Sequence, residues 1–205
     1  MSEDGESPGA GQAGAQDIHR IARQGDAMAL DALLSERPER ATAVDEAGST
    51  ALHHAARSGS RGCVQLLLAR GADPAAPNDR GDAPLHFAAM SGWADMVHLL
   101  LAGGADCDRA NYSGETPLHV AVRWGRREVA SVLVEADANT DAPDARGKTP
   151  LHWAAYCGFA DMAELLLRAG SDATAVDNDG LTPLDIAHDS ALIDPLKAPP
   201  TPHGQ

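Results

Sequence analysis

The chain has 205 residues, 30 acidic and 16 basic, for a formal charge of −14, which argues against a general nucleic-acid binder, whose footprint is basic. Its 40 alanines, seven aromatics and 43% hydrophobic content supply a core and point to close-packed helices rather than sheets. There is no apolar run of about 18 residues to span a bilayer, and Cys63, Cys107 and Cys157 show no C-x-x-C spacing, which excludes a zinc knuckle or disulfide framework and suits a reducing compartment.

Residues 1–16 are acidic and Gly-rich, with no apolar run that would make a signal peptide, and are expected to be disordered. Gly9-Ala10-Gly11-Gln12-Ala13-Gly14 spells GxGxxG, but no strand precedes it, so it reads as flexible linker rather than as a dinucleotide site. Residues 17–44 then show a helical apolar pattern: Ile18, Ile21 and Ala22, followed by Leu30, Leu33 and Leu34.

From there one pattern repeats. Gly48-Ser49-Thr50-Ala51-Leu52-His53-His54-Ala55 returns as Gly81-Asp82-Ala83-Pro84-Leu85-His86-Phe87-Ala88. It returns again as Gly114-Glu115-Thr116-Pro117-Leu118-His119-Val120-Ala121 and as Gly147-Lys148-Thr149-Pro150-Leu151-His152-Trp153-Ala154. The last copy is Gly180-Leu181-Thr182-Pro183-Leu184-Asp185-Ile186-Ala187, and the spacing is 33 residues throughout. In each copy Thr stands as an N-cap whose hydroxyl accepts a backbone N–H, with Pro at N1; Thr50 lacks the Pro and Ala83 replaces the Thr. A first helix should run to Gly59, Gly92, Gly125 or Gly158, and a second, such as Arg61 to Arg70, should end at a left-handed residue. That residue is Gly71, Gly104 and Gly170 in three copies and Asp137 in the other. Asp45, Asn78, Asn111, Asp144 and Asp177, three residues before each repeat glycine, are turn formers that bond their own backbone.

The period and the T-P-L-H-x-A marker resemble the ankyrin repeat family over roughly residues 17–190. The implied fold is an all-α solenoid of stacked β-turn and helix-turn-helix units. A capping repeat is expected at 17–44, full repeats at 45–77, 78–110, 111–143 and 144–176, a truncated repeat at 177–198, and a disordered tail at 199–205. By the same resemblance His53, His86, His119 and His152 tie their turns to the Thr of the marker. Neighbouring copies, about one helix diameter of 10 Å apart, are too distant to share a zinc ion.

No P-loop, HExxH, GxSxG or kinase signature occurs, so no catalytic residue, cofactor or metal is expected. The resemblance implies instead a non-catalytic protein-binding module, an adaptor, inhibitor or assembly factor, gripping its partner with the turn tips and the exposed side of the first helices. Carried onto this sequence, those positions include Met90, Tyr112, Arg123, Trp124, Arg146, Lys148 and Tyr156, with Trp93, Arg126 and Phe159 opening the second helices. Phe87 and Trp153 take a slot that is usually buried. Tyr and Trp at exposed positions make interface hot spots, whereas the plainer reading is that they shield neighbouring repeats. Arg123-Trp124-Gly125-Arg126-Arg127 is a basic and aromatic island that a nucleic-acid or phospho-ligand binder would also use; a host-directed effector is a further alternative. Asp141 to Asp194 holds ten acids against Arg146, Lys148 and Arg168, which favours a basic partner surface at that end. The expected partner is another protein, with no membrane and no nucleic acid, met by a monomer in the cytoplasm or nucleus.

Overall fold

The computed structural model describes residues 18–188 together with 194, 196 and 197; the tails expected to be disordered lie outside the described residues. A helix over 18–24 (α1) and α2, Ala27–Glu36, open the chain, followed by a 3₁₀ turn at Pro38–Thr42. Four helical hairpins follow: α3 Ala51–Ser58 with α4 Arg61–Ala69, α5 Pro84–Ser91 with α6 Ala94–Ala102, α7 Pro117–Arg123 with α8 Arg127–Glu135, and α9 Pro150–Cys157 with α10 Ala160–Arg168. A short α11, Pro183–Ile186, starts the last unit. Among the described residues β-pairing is limited to one isolated antiparallel bridge, Val44 to Thr50.

The helices form two layers. In the inner one α3, α5, α7, α9 and α11 each pack on the next; in the outer one α2, α4, α6, α8 and α10 do the same. This is why the second helices are apolar over more than one stripe. On α4, Cys63, Val64 and Leu67 are buried, while Leu66 and Leu68 are half-buried against neighbouring units. Leu52, Leu85, Leu118 and Leu151, the leucines of the marker, are fully buried, and alanines such as Ala55, Ala88, Ala121 and Ala154 fill the space between inner helices. Alanine-rich composition and close helix approach are thus the same fact.

The turns are built as their side chains dictate. One Oδ1 of Asp45, Asn78, Asn111, Asp144 and Asp177 accepts two backbone N–H groups of its own turn, those two and four residues on, at 2.8–3.0 Å. Adjacent turns are then linked through backbone bonds: Asp79 to Ala47, Tyr112 to Arg80, Ala145 to Ser113 and Asn178 to Arg146. The second helices end as the sequence requires, with Gly71, Gly104 and Gly170 at positive φ and Asp137 at φ 60°, the one non-glycine residue in that region among the described residues.

The Thr caps differ in detail from expectation. Thr116 and Thr182 Oγ1 do accept a backbone N–H, at 3.5 and 3.3 Å, but Thr50 and Thr149 make no such bond. Instead the hydroxyls of Thr50, Thr116 and Thr149 sit 2.9 Å from Nδ1 of the marker histidine. The hydroxyl donates to the lone pair of Nδ1, a role that leaves its own lone pairs open, and the Thr116 oxygen also accepts the helix N–H.

Gly114 and Gly170 separate two costs of a glycine. A Cβ on Gly114 (φ +75°) would stand 2.6 Å from the backbone nitrogen of Ala145 in the next turn, whereas one on Gly170 (φ +95°) meets nothing within 4 Å. Gly170→Ala should therefore cost about 1–2 kcal/mol, the left-handed backbone penalty alone. Gly114→Ala adds a clash that only displacement of the neighbouring turn relieves, and should cost clearly more. Urea unfolding of the two variants checks the order; equal losses would mean the turns are not in the contact described.

Candidate functional site

The resemblance implies a structural role for the marker histidines, and the geometry shows how it works. Nδ1 of His53, His86, His119 and His152 accepts the backbone N–H of the cap residue three positions earlier, at 3.0–3.1 Å. A backbone N–H can only donate, so Nδ1 carries the lone pair and Nε2 the proton. That Nε2–H donates to a carbonyl 29 residues on: Asp82, Glu115, Lys148 and Leu181 respectively, at 2.9–3.1 Å. Each histidine thus closes its own turn and bolts it to the next repeat. Burial holds all four below the ordinary imidazole range, against the raising effect of the carbonyl bond, and His53 is pushed down to about 4. They are neutral at pH 7 and fully occupied.

The exposed aromatics and the arginines beside them divide into two groups. Trp93, Arg126 and Phe159 lie over the glycines that end the preceding inner helices, Gly59, Gly92 and Gly125. Trp93 Nε1 donates to the Arg57 carbonyl at 3.1 Å and Arg126 Nε to the Met90 carbonyl at 3.0 Å. These three bracket adjacent repeats, and the Arg123–Arg127 island is accordingly split. Arg126 faces the hairpin edge, whereas Arg123 pairs with Glu115 and stacks over the Trp153 ring, 4.8 Å from its centroid.

The second group is on the inner helices and the turns. Trp153 is half-buried rather than buried as its slot suggests. Its Nε1 donates to Asp144 Oδ2 at 3.0 Å, and Tyr156 meets it edge to face at 5.8 Å. Arg123, Trp153 and Tyr156 therefore form one braced cluster spanning two repeats. Tyr156 is 58% exposed, Trp124 53% and Tyr112 75%, the last lying against Gly81 of the preceding turn. Met90 is half-buried against the core, Arg146 is exposed at a turn tip, and Phe87, like Trp153, is half-buried. Lys148 donates to Asp177 Oδ2 at 2.5 Å, and that bond holds the Asp177 carboxyl down at about 2. The residues that sequence reasoning missed are Trp153, its anchor Asp144, and Glu115, which pairs with the Arg123 stacked on it; the only signal was an indole in a slot that Phe87 and Val120 fill elsewhere.

Five carboxylates along this face are internally engaged. Asp45 binds His54 at 2.7 Å, Asp82 takes the Asn111 amide at 2.7 Å, and Glu115, Asp144 and Asp177 hold Arg123, Trp153 and Lys148. The turn tips carry both signs, Glu46, Asp79 and Asp179 against Arg80 and Arg146.

A family model for ankyrin repeats in three copies matches residues 70–144, and a second ankyrin-repeat model, of many copies, matches 33–88 and 133–187. The chain belongs to the ankyrin repeat family. No curated protein matches it. Ankyrin repeats are in general non-enzymatic modules that mediate protein–protein interaction. Among the described residues of this ankyrin repeat protein, no three His, Cys, Asp or Glu side chains are placed to hold a metal ion, and no helix is long and apolar enough to cross a membrane.

Proposed function

We propose that this ankyrin repeat protein is a non-catalytic adaptor, inhibitor or assembly factor that docks a partner protein on the turns and inner helices of its second to fourth repeats. The observation that carries the reading is the exposure of Tyr112, Trp124 and Tyr156 on that one face. Folding does not require rings there: the marker leucines and the alanines fill the core beneath them. Large exposed aromatics are what partner pockets receive. The nucleic-acid alternative loses support from the split island, since Arg123 and Arg126 face different elements and do not line one track for a phosphate backbone. The cysteines are free thiols, which fits a reducing compartment, cytoplasm or nucleus.

Retention of a partner by the immobilised chain tests the site. Trp124→Ala and Tyr156→Ala should each weaken the complex by more than about 2 kcal/mol, while unfolding free energy falls much less. The reverse pattern, a loss of about 3–5 kcal/mol in stability with affinity reduced only through unfolding, would make the rings mortar between repeats.

A further inference from the structure

Resting on that reading of the face, we infer that its occupant is an acidic protein segment, an extended stretch whose carboxylates reach Arg123 and, on the adjoining inner helix of the first repeat, Arg57, while its apolar side chains lie on Trp124 and Tyr156. The argument is one of what the face still has to offer. The carboxylates nearest the inner helices are already held by His54, Asn111, Arg123, Trp153 and Lys148, and the exposed acids that are not, Glu46, Asp79 and Asp179, stand out at the turn tips. Donors remain. Arg57 is exposed and, among the described residues, in no ion pair, while its backbone is fixed by the Trp93 indole. Arg123 gives Nη1 to Glu115 and rests on Trp153, which leaves part of its fork of five N–H donors to a second carboxylate. Because stacking and pairing already fix its plane, binding there loses little side-chain freedom.

Arg57 and Arg123 occupy the same slot of the inner helix two repeats apart. At about 10 Å per helix layer they stand roughly 20 Å from each other, a span of about six residues of extended chain. Discrete acids at that spacing suit the face better than a continuous polyanion, which would also meet Glu46, Asp79 and Asp179 at the tips.

The probe is a fluorescein-labelled peptide with two glutamates about six residues apart among Leu, Phe and Ser, titrated with the full chain and read by anisotropy. Saturable binding is expected, weakened about tenfold by Arg57→Gln or Arg123→Gln, the cost of one charged hydrogen-bonded contact, and about a hundredfold when both glutamates become glutamine and both contacts go. Arg57→Gln breaks no side-chain bond among the described residues and keeps the test valid if Arg123→Gln unfolds. Equal binding of the glutamine peptide, tighter binding of a lysine version, tighter binding of oligo(dT), or no saturable binding would each overturn the assignment. A natural partner that needs Trp124 and Tyr156 but is indifferent to both arginine substitutions would also overturn it, while leaving the proposed site intact.

Discussion

Replacing His119 by Leu is expected to lower the unfolding free energy by about 3–5 kcal/mol, although the side-chain volume is nearly kept. The ring is fully buried, and three groups depend on it. The Thr116 N–H donates to Nδ1 at 3.1 Å, the Thr116 hydroxyl lies 2.9 Å from the same atom, and Nε2 donates to the Lys148 carbonyl at 3.0 Å. Leucine satisfies none of them, and a buried polar group left without a partner costs about 1–3 kcal/mol. The last marker copy supplies an internal control. There Asp185 Oδ2 takes both the Thr182 N–H, at 2.9 Å, and the Thr182 hydroxyl, at 2.7 Å. A short acceptor can therefore do the local half of the work. His119→Asn should accordingly recover part of the loss but not the bond to Lys148, and urea unfolding of both variants measures the two halves. A loss below about 1 kcal/mol for His119→Leu would mean that water replaces the ring, and that the repeats are not bolted through it.

The same histidines make the fold acid-sensitive in a defined window. In the unfolded chain they titrate near 6.5; in the fold burial holds them lower, at about 4 for His53. Between those values the unfolded state binds more protons, so stability falls as pH drops from about 6.5 towards about 4 and levels off below the folded values. At about 1.4 kcal/mol for each unit of depression, His53 alone accounts for on the order of 3 kcal/mol, with His86, His119 and His152 acting in the same direction. The carboxylates held low by hydrogen bonds, Asp177 foremost, lose their contribution only below the ordinary Asp range. Urea midpoints at pH 7 and pH 4.5 should differ strongly in the wild type and by less in His119→Leu. A midpoint that rises or stays level on acidification would contradict neutral, bridging histidines.

Much of this architecture is written in short-range chemistry that a sequence displays directly. The glycines at 48, 81, 114, 147 and 180 need a turn, the Asx residue three positions earlier supplies its closing acceptor, and Asp137 can hold the left-handed position that glycine holds elsewhere. What escapes the sequence is contact across the period. Whether Arg123 lies on Trp153 depends on rotamers and on the rise between repeats, neither of which appears in a one-dimensional pattern. The aromatics show the same divide: Trp93 and Trp124 are both exposed tryptophans near a hairpin, yet only Trp93 reaches a carbonyl of the preceding repeat. Ala83 is a milder case. Its missing hydroxyl reads as a missing cap, but the backbone N–H still finds His86 Nδ1 at 3.0 Å, so the second repeat keeps its closure.

Hydroxyl-radical footprinting of the saturated complex tests the binding face most directly, because its key side chains are reactive and open to solvent. Tyr112, Trp124 and Tyr156 should all lose reactivity when the partner binds, while Met28 on α2, 86% exposed and remote in sequence from the face, should react as before. Undiminished oxidation of Tyr112, Trp124 and Tyr156 in a complex shown to be saturated would place the partner elsewhere on the stack and contradict the proposed site.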